Sequence, residues 1–306
     1  MEAGKAWDQF CQAAAVKFLE WSENVDVSQK TIPIPPLDIL MIWHSYMLNT
    51  KDYVQFQDKA RRGEMAGEGI NWQDLKRKLD LDYDWISEVL ESWDATDTTH
   101  TPRLENLSPG FKDFDMVAAV QRQLKFAEKT HDAQWRHPEN LDHFLDSAVN
   151  DYKQFFALIA ENPGVGLAPT LAIDLVWHTH QLSPRRYRTY CRHMTNGRFV
   201  HHDDNIDESS LKEAGLNAER LYLAKYGVPY KRLPHSCKDE LCIVCFGKSP
   251  SMRSARENSY WAMCFGKQAS HEEPGVRAGP EDPSCSTQLD GAHMPEDQVQ
   301  GMRIFI

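Results

Sequence analysis

The stretch "AIDLVWHTHQLSPRRY", Ala172 to Tyr187, sets two histidines either side of a threonine, behind an aspartate and a tryptophan. Imidazoles and carboxylates at close spacing can ligate a metal ion or pass protons near neutral pH. Asp174, His178 and His180 are therefore the first candidates for catalysis or metal binding. Helical positions two apart point about 200° away from each other. His178 and His180 thus cannot face one ion while the helix stays regular. Asp174 and His178, at i and i+4, share a face. There the carboxylate can be a ligand beside the imidazole, or it can hold one ring N–H and fix the tautomer.

Further ligands have to come from elsewhere. "GRFVHHDDNID", Gly197 to Asp207, supplies His201, His202, Asp203 and Asp204. If this segment folds back, one of its histidines and a carboxylate can join Asp174, His178 or His180. Two or three histidines with one carboxylate suit Zn²⁺ or Fe²⁺. The plainer alternative is a polar loop leading into a helix, since Asp207, Glu208 and Ser209 are ordinary first-turn residues. A second ligand set lies in the tail, where Cys237, Cys242, Cys245 and Cys264 offer one C-x-x-C but no matching second pair. A small zinc knuckle completed by His235 or His271 and a set of reduced thiols both fit that pattern. Phosphate-loop, dinucleotide and nucleophile-elbow motifs are absent from the sequence.

The elements that must position these residues show an internal repeat. Sliding the chain by 134 positions aligns Trp43-His44 with Trp177-His178. Pro35, Leu37 and Ile39 then meet Pro169, Leu171 and Ile173, while Leu48 and Tyr53 meet Leu182 and Tyr187. An earlier stripe of Trp7, Phe10, Cys11, Ala14, Phe18 and Trp21 meets Leu141, Phe144, Leu145, Ala148, Tyr152 and Phe155. Its spacing is that of one apolar helix face. Ser183-Pro184 and Asn49-Thr50 read as helix starts with N-cap side chains. Val117, Val120, Leu124 and Ala127 mark one more helix beginning after Asp115.

The expected fold is mainly α, with two tandem helical pseudo-repeats packed together. Residues 1–95 form the first, 96–114 a linker, 115–231 the second, and 232–306 a cysteine-containing, largely disordered tail rich in Pro, Gly and acids. The repeat also acts as a control. Trp-His is present in both copies, which points to packing. Asp174 stands where the first copy has Leu40, and His180 where it has Tyr46, so these two are the additions that suggest chemistry.

A net charge of −11 argues against a phosphate-tracking nucleic-acid binder, in spite of the local "RRYRTYCR" cluster. No apolar run reaches the length of a membrane span, and the N-terminus lacks a secretory pattern. Seven cysteines without such a pattern suit a reduced cytoplasmic or nuclear setting.

Trp-His-Thr-His-Gln-Leu followed by Pro-x-x-Tyr, then "GRFVHHDD" and "YLAKYGVPY", resembles the GRDP-like family, the glycine-rich domain-containing proteins of plants and fungi. The resemblance covers residues 1 to about 231. It departs at Tyr46 and Thr50 in the first copy and in the absence of a glycine-rich tail, so the chain looks like a short fungal member. The resemblance implies roles in growth and stress responses and assigns no reaction. Two readings follow. One is an interaction or regulatory protein, with a protein or small-molecule partner. The other is a metal-dependent or His/Asp acid–base enzyme, of a fungal and secondary-metabolite type, built on Asp174, His178, His180 and the His201–Asp204 loop.

Overall fold

The computed structural model describes residues 2–26, 32–59, 69–81, 114–133 and 138–230. The expected linker, but for Phe114, and the tail, with Cys237, Cys242, Cys245 and Cys264, lie outside the described residues. The described chain is all helix and connection, with nine helices and no strand. They are α1 (Glu2–Asn24), α2 (Leu37–Met47), α3 (Thr50–Lys59), α4 (Trp72–Leu81), α5 (Met116–Asp132), α6 (Pro138–Glu161), α7 (Leu171–Gln181), α8 (Pro184–Met194) and α9 (Glu208–Tyr226). None is long and apolar enough to cross a membrane.

Local chemistry fixes several boundaries. The Thr170 hydroxyl accepts from the Ile173 N–H at the start of α7. Asp115 does the same for Ala118 ahead of α5, and Asp207 for Ser210 ahead of α9. These bonds satisfy N–H groups that a helix leaves open in its first turn. Gly227 ends α9 in the left-handed region, at φ 70°, and its N–H returns to the Leu223 carbonyl. Pro184 opens α8, but the Ser183 side chain makes no cap bond. Asn49 also differs from the N-cap expected of it: its Oδ1 accepts from Arg122 Nη2, and its amide nitrogen donates to the Ser45 carbonyl.

The apolar stripes pack as their spacing predicts. Phe10, Cys11, Ala14 and Phe18 of α1 are buried in a cluster with Leu40, Trp43 and Tyr46 of α2. Leu145, Ala148, Tyr152 and Phe155 of α6 are buried with Val176 and Trp177 of α7. The same hydrogen bond occurs in each cluster: Trp43 Nε1 donates to the Tyr53 hydroxyl at 2.9 Å, and Trp177 Nε1 to the Tyr187 hydroxyl at 2.9 Å. Helix α5 lies on the first cluster through Met116 and Val120, while its Phe126 packs on the second.

One residue crosses between clusters. Leu182, just past α7, is fully buried in the first cluster. Its carbonyl accepts from the Ile70 N–H at 3.1 Å. Gly69 makes that approach possible, since a Cβ there would stand 2.0 Å from the Leu182 oxygen. Gly69→Ala should therefore push the two segments apart and cost about 1–3 kcal/mol, as overpacking generally does. Urea unfolding of the variant measures it, and a loss within 0.5 kcal/mol or so would show that the contact yields easily.

Candidate metal centre

Asp174 and His178 stand one turn apart on α7, with Asp174 Oδ1 3.4 Å from His178 Nε2. The loop after α8 brings His202 onto the same carboxylate oxygen, Nε2 to Oδ1 at 3.1 Å. One donor atom from each of the three lies within 4.8 Å of the others, the one such cluster among the described residues. Both imidazoles are buried and the carboxylate is about a fifth exposed, at 7% and 21%. His178 Nε2 and His202 Nδ1 are buried without a hydrogen-bond partner. A buried polar atom left so costs about 1–3 kcal/mol.

The loop is held in place by identifiable bonds. The Tyr187 hydroxyl takes the Trp177 N–H and gives its own proton to the Val200 carbonyl at 2.7 Å. That fixes the backbone two residues ahead of His202, whose ring then meets the Trp177 ring edge-on, centroids 4.9 Å apart. Beyond it, Asp204 accepts from Arg122 Nε at 2.8 Å and from Gln123 Nε2 at 3.1 Å, both on α5. Phe126, also on α5, packs on the His178 ring at 4.3 Å.

Electrostatics separates the two imidazoles. Burial pulls His178 down to about 4, against the pull of Asp174, so it is neutral at pH 7. Burial works the same way on His202, but the hydrogen bond and charge of Asp174, with Asp204 and Asp203, outweigh it and raise its pKa. Asp174 is itself buried, which alone would raise it. The neighbouring His178, His202 and Lys129 outweigh that and hold the carboxyl below its usual range.

The remaining sequence candidates stand apart from this cluster. His180 points into an aromatic nest, where its Nδ1 meets the Tyr152 hydroxyl at 2.9 Å and its ring contacts Tyr187 and Tyr190. The Tyr152–His180 pair occupies the place that Phe18 and Tyr46 fill in the first cluster, both in edge-on contact. The hydroxyl of this pair is on α6, and that of the first-cluster pair is on α2. His201 is exposed against Phe199, and Asp203 closes a turn onto the Asn205 N–H. Sequence reasoning did not find Arg122, Gln123 or Phe126, whose only mark was a place on an ordinary amphipathic helix. His44 and His178 line a common cavity of about 20 Å³ with Gln123, Phe126 and Leu175, room for one water.

Fold and site together define an all-helical protein with a carboxylate and two imidazoles gathered at a helix end. Residues 70–189 match the family model described as glycine-rich domain-containing protein-like. Glycine-rich domain-containing protein 1 of Arabidopsis thaliana is 32% identical over 203 residues, 61% of this chain and 23% of that protein. Glycine-rich domain-containing protein 2 of the same plant is 29% identical over 211 residues, 62% of this chain and 24% of its own length. The chain thus spans about a quarter of the length of these relatives. No solved structure matches it. Residues 70–189 of this chain thus belong to the GRDP-like family.

Two outcomes test this geometry. Tyr187→Phe leaves the Trp177 N–H and the Val200 carbonyl without their partner, which should cost about 2–4 kcal/mol of unfolding free energy in urea. Burial also lowers His44 and His180 to about 3. Both fall below the unfolded value near 6.5, so the unfolded chain binds more protons between about pH 6.5 and 3. Stability should be fully present above that window and fall as pH drops through it. His180→Gln cannot titrate, and should flatten the slope by up to about 1.4 kcal/mol per pH unit. An unchanged slope would mean that His180 carries its proton in the folded protein.

Proposed function

We propose that this chain is a helical interaction and regulatory protein that holds one divalent transition-metal ion, Zn²⁺ or Fe²⁺, on Asp174, His178 and His202. The convergence of these three side chains from α7 and the loop after α8 carries the reading. Ligands about 2.0–2.1 Å from a tetrahedral Zn²⁺ lie about 3.3 Å from one another. The separations of 3.1 and 3.4 Å at Asp174 Oδ1 bracket that value. A carboxylate with two imidazoles is a donor set that both Zn²⁺ and Fe²⁺ accept. An ion would also give the unpartnered His178 Nε2 a bond. Its role here is to fasten the loop to α7. The cavity beside His178 is too small for a substrate, with room for one water and mostly apolar walls.

One feature favours a second reading, a metal-dependent or acid–base enzyme. Three protein ligands leave a fourth position to water, as in catalytic zinc sites. Asp174 is the most open of the three ligands. Titrating the Co²⁺-loaded protein with azide separates the two readings. A visible-band shift means an exchangeable position, and a fixed spectrum means a closed one.

The site itself is tested by stripping the protein with chelator and titrating Zn²⁺ against a chromophoric competitor. One ion is expected on the two Trp-His helices together, because Leu40 replaces the carboxylate in the first of them. His178→Ala and His202→Ala should each weaken binding by about 100-fold or more, roughly 3 kcal/mol, and His180→Gln should leave it unchanged. Wild-type affinity in either alanine variant removes the site.

A further inference from the structure

We propose that Arg122 and Asp204 are positioning residues for the metal ligand His202, and that through them the ion is coupled to the N-terminal helices at Asn49. The inference rests on the metal site proposed above and adds how that site acts on the rest of the molecule.

His202 makes one side-chain hydrogen bond, to Asp174. Its position therefore depends on its backbone, which is held on both flanks. Two residues before it, the Val200 carbonyl is bonded to the Tyr187 hydroxyl. Two residues after it, both carboxylate oxygens of Asp204 are taken by α5, Oδ1 by Arg122 and Oδ2 by Gln123. The Arg122–Asp204 pair is largely shielded from water, with side chains 22% and 11% exposed. A charge-assisted bond in such surroundings is stronger and less screened than one on an open surface.

Arg122 does not stop at Asp204. Its Nη2 donates to Asn49 Oδ1 at 3.3 Å. Asn49 is itself tied to both neighbouring helices. Its amide nitrogen donates to the Ser45 carbonyl at the end of α2. Its own carbonyl accepts from the Tyr53 N–H in the first turn of α3. A continuous polar chain thus runs from the ligand loop, across α5, to the turn between α2 and α3. An ion that fixes His202 restrains Asp204, and by linkage whatever restrains Asp204 strengthens the ion's binding by the same factor.

The experiment uses the full chain and Zn²⁺ alone. Zn²⁺ affinity is measured for the wild type, Asp204→Asn, Arg122→Leu and the double variant, with amide hydrogen exchange recorded with and without the ion. Each single variant should bind about 10–100-fold more weakly, the usual effect of disturbing the groups that orient a ligand. The double variant should bind no more weakly than either single one, because all three break one link. Added Zn²⁺ should slow exchange at residues 46–53 in the wild type and lose that effect in the variants. A role confined to folding would lower thermal stability without moving this ion-dependent protection. Should Arg122→Leu fail to fold, Gln123→Met removes the second bond to Asp204 and is expected to weaken Zn²⁺ in the same direction.

Wild-type affinity in folded variants overturns the coupling and leaves the metal site standing. So does protection limited to residues 174–178 and 199–204. Absence of Zn²⁺ binding by the wild type overturns both.

Discussion

The Tyr187 hydroxyl is the hinge on which the site depends. It accepts from the Trp177 indole and donates to the Val200 carbonyl, so a single oxygen joins α7, α8 and the loop beyond. Remove that oxygen and two buried polar groups lose their partner, while His202 loses the anchor that sets it against Asp174. In the first cluster the matching bond, from Trp43 to Tyr53, ties α2 to α3. The tryptophan is thus a packing residue in both places. The tyrosine of the second pair also holds the loop after α8, through the Val200 carbonyl.

Much of this was legible in the sequence, for definite reasons. The stripe from Trp7 to Trp21 and its counterpart from Leu141 to Phe155 follow helical spacing, and side chains on that spacing must share a face. Asp174 and His178 at i and i+4 could be paired from the same rule. The meeting with His202 could only be conditional, because a loop's return path is set by contacts remote in sequence. Tyr187 to Val200 and Asp204 to Arg122 are such contacts, and neither side of them carries a local signature. Ser183 and Asn49 had the right chemistry for capping, yet Asn49 is claimed by Ser45 and Arg122. Tertiary partners outbid the local preference there.

His180 shows how a residue that resembles a ligand can be a packing solution. Where the first cluster sets Phe18 against Tyr46, the second sets Tyr152 against His180, and the Tyr152 hydroxyl meets the imidazole Nδ1. Burial then keeps the imidazole neutral. His178 has the same burial and a different neighbour, a carboxylate, and that difference makes it a ligand candidate. The stretch shared with the GRDP-like family model ends at residue 189, so it contains Asp174, His178 and Tyr187 while His202 comes from beyond it. The candidate ligand set joins the family's matched segment to a part of the chain outside the match.

Leu182 carries a consequence for how the chain is made. It belongs by position to the second Trp-His helix and by packing to the first cluster. A ribosome that has released only the first four helices has yet to synthesise a residue that their core contains. The N-terminal helices can collapse at that stage, but the place for Leu182, and the carbonyl on which Ile70 closes, arrive more than a hundred residues later. The core of the N-terminal helices is therefore completed late in synthesis, after α7 has emerged.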